Sequence, residues 1–188
     1  KARWLPPVAR GLTDMLGRVL AQDVSAIEPM PPFPAAAMDG FAVIAADTSP
    51  TRRIVGEQPA GRVRSLTVQR GTAVRVMTGA PLPQGADAVV RLEDAEERDG
   101  MVSLRVPVQP GQNLRHVGED LMAGEVVLTK GLLLGPAEIG LLATLDRPHI
   151  LVHPKPTVAV MATGDELVPP GQSTVPGQIR DSNSYALL

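Results

Sequence analysis

The sequence predicts a mixed α/β chain of more than one domain, on three observations. Nineteen prolines and eighteen glycines in 188 residues point to many short elements joined by turns, not to a helical bundle. Between Thr51 and Val108, short apolar and β-branched runs alternate with turn pairs, the pattern of a small barrel or sandwich. Past Pro154-Lys155-Pro156, a stiff boundary, Val158 to Ala162 is a continuous apolar run. Such a run marks a strand buried on both faces of a parallel sheet.

Composition narrows the function classes. Hydrophobic residues make up 44% and charged ones 20%, as in ordinary soluble proteins, and the 2% aromatic content demands an aliphatic core. A net charge of −2 gives no electrostatic reason to expect nucleic acid. Absence of cysteine excludes disulfides, thiolate metal sites and a cysteine nucleophile, and fits a cytoplasmic setting. The longest apolar run, Leu132 to Leu145, is interrupted by Gly135, Pro136, Glu138 and Gly140, so no membrane span is expected. No signal peptide is visible, although a start at Lys1 leaves a trimmed N-terminus open.

Taken in order, Val8, Leu12, Met15 and Leu16 fall near helical spacing, which predicts a short helix from Pro7 to Leu16. A strand is expected across Val19 to Val24. Pro31 to Pro34 then stiffens the chain, and Ala35-Ala36-Ala37 lets the backbone lie close to a neighbour. Asp39 follows beside Gly40, where φ > 0 carries no steric cost, and Phe41 to Ile44 enters a core. Further strands are expected at Arg53–Val55, Ala73–Met77, Ala86–Val90 and Met101–Val106. Turns are expected at Ala60-Gly61, Arg70-Gly71, Gln84-Gly85 and Asp99-Gly100. Gly124 to Leu128 reads as a strand. Pro136 opens a helix to about Leu145, with Glu138 in its first turn and Asp146 in the left-handed position where glycine is usual. Ile150 to Val152 is the next strand. About thirty residues follow Pro156, too few to close an α/β domain, so more chain is expected past Leu188.

Four corners share one grammar of small residues, a polar side chain and an adjoining apolar strand. They are Met38-Asp39-Gly40, Met77-Thr78-Gly79-Ala80-Pro81, Gly118-Glu119-Asp120 and Thr163-Gly164-Asp165-Glu166. Carboxylates on Gly-flanked loops suit Mg²⁺, which takes one or two of them with waters and phosphate oxygens. Backbone N–H groups at Thr163-Gly164, at the carboxyl end of the expected strand, suit a phosphate. Plainer alternatives stand beside these: Asp-Gly is an ordinary turn pair, Thr78-Gly79 ends a strand, Glu119-Asp120 is a solvated turn, and Asp165, Asp181 and Asn183 are caps. His116, His149 and His153 are too scattered for a zinc site, and no Gly-Lys-Ser/Thr, Gly-x-Gly-x-x-Gly or Gly-x-Ser-x-Gly motif is present. Spacing alone names no reaction.

In combination, the corners resemble the molybdopterin molybdenumtransferase family, to which bacterial MoeA and the gephyrin E domain belong. The likeness rests on Gly17 to Val24, on Pro32-Phe33 with Met38 to Val43, and on Arg75 to Val90. It continues through Gly111 to Arg115 with Gly118-Glu119-Asp120, then Thr163 to Leu167, and ends on Gly177-Gln178-Ile179 with Asp181 and Asn183. It implies an elongated, L-shaped homodimer of four-domain subunits. Residues 1–24 and 125–154 would form the first, dimer-forming domain, and residues 25–124 an inserted β-rich, barrel-like second domain. Residues 155–188 would open a three-layer α/β third domain similar to the molybdopterin adenylyltransferase fold. The implied reaction inserts molybdenum from molybdate into adenylylated molybdopterin, releases AMP and requires Mg²⁺, in a cleft completed by the other subunit.

By motif, Asp39, Thr78, Asp120 and Glu166 would be catalytic, while Gly79, Thr163, Gly164 and Asp165 would contact the substrate; no metal ligand is assigned. Thr78 is expected to donate to an anionic oxygen. Family members commonly carry Asp-Asn-Ser-Ala before Met-Asp-Gly, where this chain has Pro34-Ala35-Ala36-Ala37, losing a hydroxyl at Ala36. A protein ending at Leu188 is expected to be inactive. A gephyrin-like scaffold, a non-catalytic homologue, and an adenylyltransferase carried by sequence past Leu188 are the competing classes.

Overall fold

The computed structural model describes residues 5–188; the first four residues of the expected first domain lie outside it. Its largest element is a six-stranded sheet. The strands β5 (Gly40–Val43), β6 (Thr51–Gln58), β7 (Thr72–Val76), β8 (Ala88–Arg91), β9 (Ala95–Arg98) and β10 (Met101–Leu104) run in the order β8-β5-β7-β6-β10-β9. Two edges, β8 and β9, stay open, so this is a curled half-barrel and not a closed barrel. Side chains alternate between its faces. Phe41, Val43, Ala73, Ala88, Val90 and Val102 fill one core. Ala42, Val74, Val76 and Val89 join Ala36 and Val68 in the other. With both faces covered, every residue of β5 is buried. The β9–β10 turn is Asp99-Gly100 at φ 51° and 75°, the doubly left-handed pair that matches the twist of a two-residue hairpin.

The remaining strands bring distant parts of the chain together. They are β1 (Val8–Gly11), β2 (Val19–Leu20), β3 (Val24–Ser25), β4 (Ala35–Ala36), β11 (Leu114–Arg115), β12 (Val126–Leu128) and β13 (His149–His153). Strand β13 pairs with both β1 and β2, and β12 pairs with β3. Met15, Leu20, Val24, Leu128, Leu134, Leu142, Ile150 and Val152 therefore share one core drawn from both ends of the inserted sheet.

Helix α1 (Pro136–Thr144) packs Leu142 into that core. Pro136 opens it, and the Glu138 carboxylate accepts the Gly135 N–H at 2.9 Å. It ends as expected on Asp146 at φ 52°, with Asp146 N–H bonded to Ala143 O and Arg147 N–H to Leu142 O. That pair of bonds is a Schellman cap with aspartate in the glycine position.

Three expectations fail. Pro7 to Leu16 is not a helix: Val8–Gly11 pairs with His149–His153, and only Leu12–Asp14 makes a 3₁₀ turn. The apolar spacing is shared by both conformations, and a partner about 140 residues away decides between them. The single strand Val19 to Val24 is two, broken where the chain leaves β13 for β12 and the Asp23 carboxylate accepts the Lys130 N–H at 2.7 Å. Val158 to Ala162 forms no strand and is largely exposed. A doubly buried parallel strand needs neighbours on both edges, and among the described residues none pairs with it. The end of the chain holds a short parallel pair, β14 (Leu167–Val168) with β15 (Ile179–Arg180), and the helix α2 (Asn183–Leu187). Among the described residues no helix is long and apolar enough to cross a membrane.

One buried ion pair locks the half-barrel. Asp47 and Arg52 are 6% and 4% exposed, with Arg52 Nε 3.3 Å from Asp47 Oδ2. Asp47 also accepts the Ser49 N–H and hydroxyl and the Gly71 N–H. Burial pushes this carboxyl up, but Ser49, Gly71 and Arg52 together outweigh it and hold the group at about 2. The folded value lies below the ordinary 3.8, so its stabilisation is complete above that pH and is lost as pH falls towards 2. Asp47→Ala is expected to cost about 3–5 kcal/mol by stranding Arg52. Urea unfolding at pH 7 measures this, and the gap between variant and wild type should narrow between pH 4 and 2.

Candidate functional site

The stretch Ala35-Ala36-Ala37 lies between two other backbones. On one side, Ala36 N–H bonds to Ala80 O at 2.9 Å and Gly79 N–H to Ala36 O at 2.8 Å. On the other, β4 pairs with β11, and Ala37 N–H reaches Asn113 O at 2.9 Å. Side chains of methyl size permit this approach, and Ala35 and Ala36 are fully buried. The turn at 118–121 is fastened beside it by Gly118 N–H to Pro31 O and Asp120 N–H to Met30 O. Three of the four corners thereby meet. They enclose a cleft of about 210 Å³ lined by Pro31, Phe33 and the three alanines on one side and by Thr78, Gly79, Arg115 and Asp120 on the other.

Ala36 packs its methyl with Ala42, Val68 and Val74. The hydroxyl that family members carry there would enter an apolar core in this chain, so alanine at this position is a packing choice. Gly40 also has a different reason from the one expected. Its φ is not positive; instead a Cβ there would lie 1.9 Å from the Val90 carbonyl oxygen across the sheet. Close strand approach excludes any side chain.

Asp39 stands behind Thr78. One carboxylate oxygen, Oδ1, accepts both the Thr78 N–H at 2.7 Å and the Thr78 hydroxyl at 2.8 Å. The Thr78 backbone bond, then its hydroxyl, then the Arg75 charge hold the Asp39 carboxyl below its ordinary value against a small opposing effect of burial. Asp39 is therefore anionic at neutral pH and a weak base; its geometry suits positioning. The hydroxyl proton of Thr78 is committed to Asp39, so Thr78 presents lone pairs to the cleft and not the expected donor.

The donor is Arg115, which the sequence-based selection of site residues omits. Its Nε lies 3.2 Å from Glu119 Oε1 and its Nη2 2.5 Å from Asp120 Oδ2. These carboxylates, Asp120 foremost, raise its pKa further. The legible signal was an arginine placed four and five residues before a Glu-Asp pair.

The fourth corner is not brought to this cleft. Thr163, Gly164, Asp165 and Glu166 are exposed, with the Glu166 carboxylate folded over Gly164. Gly164 lines a separate cleft of about 360 Å³ with Asp181, Ser184 and Tyr185. Asp181 caps α2 by accepting the Ser184 N–H at 3.0 Å, and the Ser184 hydroxyl and N–H hold its carboxyl below the ordinary value. Among the described residues, no three acidic or histidine side chains converge as a metal site.

Residues 4–145 match the family model described as the MoeA N-terminal region (domain I and II). The chain belongs to that family. It is 44% identical to molybdopterin molybdenumtransferase 2 of Mycobacterium tuberculosis over 96% of its own length and 46% of the relative's. It is 40% identical to the molybdopterin molybdenumtransferase of Bacillus subtilis over 92% of its own length and 43% of the relative's. Gephyrin of Dictyostelium discoideum is 38% identical over 94% of this chain and 27% of that protein. The molybdopterin biosynthesis MoeA protein of Pyrococcus horikoshii superposes with a TM-score of 0.87 at 36% identity, covering 96% of this chain and 50% of that one. The chain thus spans half or less of the length of these relatives.

Thr78→Val tests the corner. The backbone bond, the larger contributor, survives, so the Asp39 carboxyl should rise only part of the way towards its ordinary value. A carboxylate ¹³C titration reads this directly; no movement would remove the hydroxyl from the account.

Proposed function

We propose that the protein carrying this chain acts in molybdenum cofactor biosynthesis, as a transferase that inserts molybdenum from molybdate into adenylylated molybdopterin and releases AMP. The observation that carries the proposal is the convergence of Thr78, Gly79 and Asp120 on one cleft, with Asp39 bonded to Thr78 behind it, in a chain 44% identical to a molybdenumtransferase. A cytoplasmic setting goes with it. Residues 1–24 and 125–154 are assigned to a dimer-forming domain, residues 25–124 to the inserted β-rich domain, and residues 155–188 to the opening of an α/β domain. The shared core of Met15, Leu20, Leu128 and Ile150 supports the first assignment.

In this proposal Asp39 fixes Thr78, Thr78 accepts a hydrogen bond from the substrate, and Arg115 takes an anionic oxygen. Gly79 leaves room for the substrate beside Ala36. Glu166, Thr163, Gly164 and Asp165 contact another part of the substrate, and a second subunit of a homodimer completes the cleft. Mg²⁺ finds no ready ligand set here, because Asp39 is bonded to Thr78 and Asp120 to Arg115. A peptide-binding scaffold has less support, since the gephyrin match covers only 27% of that protein.

Asp39→Ala in the full-length protein frees Thr78 to rotate, and misplacement on that scale costs about 10²-fold in turnover. Molybdate-dependent AMP release from adenylylated molybdopterin is the assay. Unchanged turnover would remove Asp39 from the site, and absence of release by wild type would refute the function.

A further inference from the structure

Among the described residues, Arg115 is the one cationic side chain lining the cleft, and its two carboxylate partners are unequal. Glu119 is anchored by the His116 N–H, which one of its oxygens accepts at 2.8 Å, while the other lies 3.2 Å from Arg115 Nε as an ion pair without hydrogen-bond geometry. Asp120 lines the cleft, its side chain is 52% exposed, and its Oδ2 sits on Arg115 Nη2 at 2.5 Å. We propose that the Asp120 carboxylate is a stand-in for the ligand: a tetrahedral oxyanion entering the cleft takes its place on Arg115 Nη2, while the Glu119 charge, fixed by the His116 N–H, stays beside Nε.

Charge makes the exchange necessary. One guanidinium and two carboxylates sum to −1, so an anion that merely joined them would meet net repulsion. Displacement of Asp120 leaves a neutral Arg115–Glu119 pair to receive it. Geometry makes the exchange possible, because the planar guanidinium fork fits carboxylate, phosphate and similar oxyanions alike. Energetics make it cheap, because exposed ion pairs are weak. The apolar wall of Pro31, Phe33 and the alanines then strengthens the new contact by lowering the local dielectric. Thr78 does not compete for the role, since its hydroxyl donates to Asp39. Asp120 thus acts through Arg115, as a positioning and gating residue.

The identity of the anion rests on the proposed function, which offers free molybdate and the phosphate of an adenylyl group. The exchange itself is tested by binding alone, so its failure and the failure of the transferase assignment are separable. Isothermal titration of the full-length protein with molybdate, inorganic phosphate and AMP is the experiment. Asp120→Asn removes the resident anion and should tighten binding about threefold to fivefold, the worth of one exposed ion pair. Arg115→Gln should abolish it, and adding Asp120→Asn to Arg115→Gln should restore nothing. A response to molybdate assigns the free oxyanion as ligand, and one to AMP alone assigns the nucleotide phosphate. In wild type, the side-chain carboxylate ¹³C signal of Asp120 should shift on anion addition while that of Glu119 stays, a readout that needs no substitution. Binding that is unchanged or weaker in Asp120→Asn, a still Asp120 signal, or no response to any of the three anions would overturn the proposal.

Discussion

Everything at this site depends on how closely three backbones lie at Ala35–Ala37. Hydrogen bonds of 2.8–2.9 Å on both sides hold the segment between its neighbours, with Ala35 and Ala36 buried. The same demand continues into the half-barrel, where Gly40 lies under the Val90 carbonyl. Asp39 is the residue between these two contacts. Its place opposite Thr78 therefore follows from packing on both sides of it, and the sheet core behind β5 is what keeps that packing in register. Stability and site geometry are one problem here: a methyl added at Gly40 would disturb the ladder before it touched any substrate.

Turn chemistry and short-range patterns were the most legible parts of the fold. Asp99-Gly100, the Pro136 start of α1 and the αL role of Asp146 could all be read because each is decided within a few residues. Five of the six strands of the half-barrel were legible for the same reason; β9 was missed, and the strand order, with parallel β6 and β7 side by side, could not be read. Val8–Gly11 failed because its conformation is chosen by His149–His153, far along the chain. Val158–Ala162 failed because a strand pattern describes a capacity to pair, and pairing needs partners.

The candidate site was legible in outline and mistaken in polarity. Asp39, Thr78 and Asp120 stood out as side chains on small-residue corners. What could not be read was who bonds to whom. Thr78 looked like a donor to the cleft until its hydroxyl proved to donate to Asp39. Arg115 went unchosen because arginine beside two acids usually means a solvated pair, and only the fold puts it in a cleft wall. Ala36 looked like a lost hydroxyl until its methyl proved to be core.

Size sets a limit on what this cleft does by itself. Sites that enclose a whole small-molecule ligand run to roughly 300–1,000 Å³, and this one is about 210 Å³. Under the proposed function it takes one group of the substrate and leaves the rest to other surfaces. The charge arrangement agrees with that division. One arginine already paired with two carboxylates holds a single oxyanion weakly; tighter binding needs the rest of a larger ligand to be held elsewhere. Thr78, offering lone pairs a short distance away, adds direction and little affinity. The corner around Asp39 is built to aim a ligand, and the binding energy has to come from beyond it.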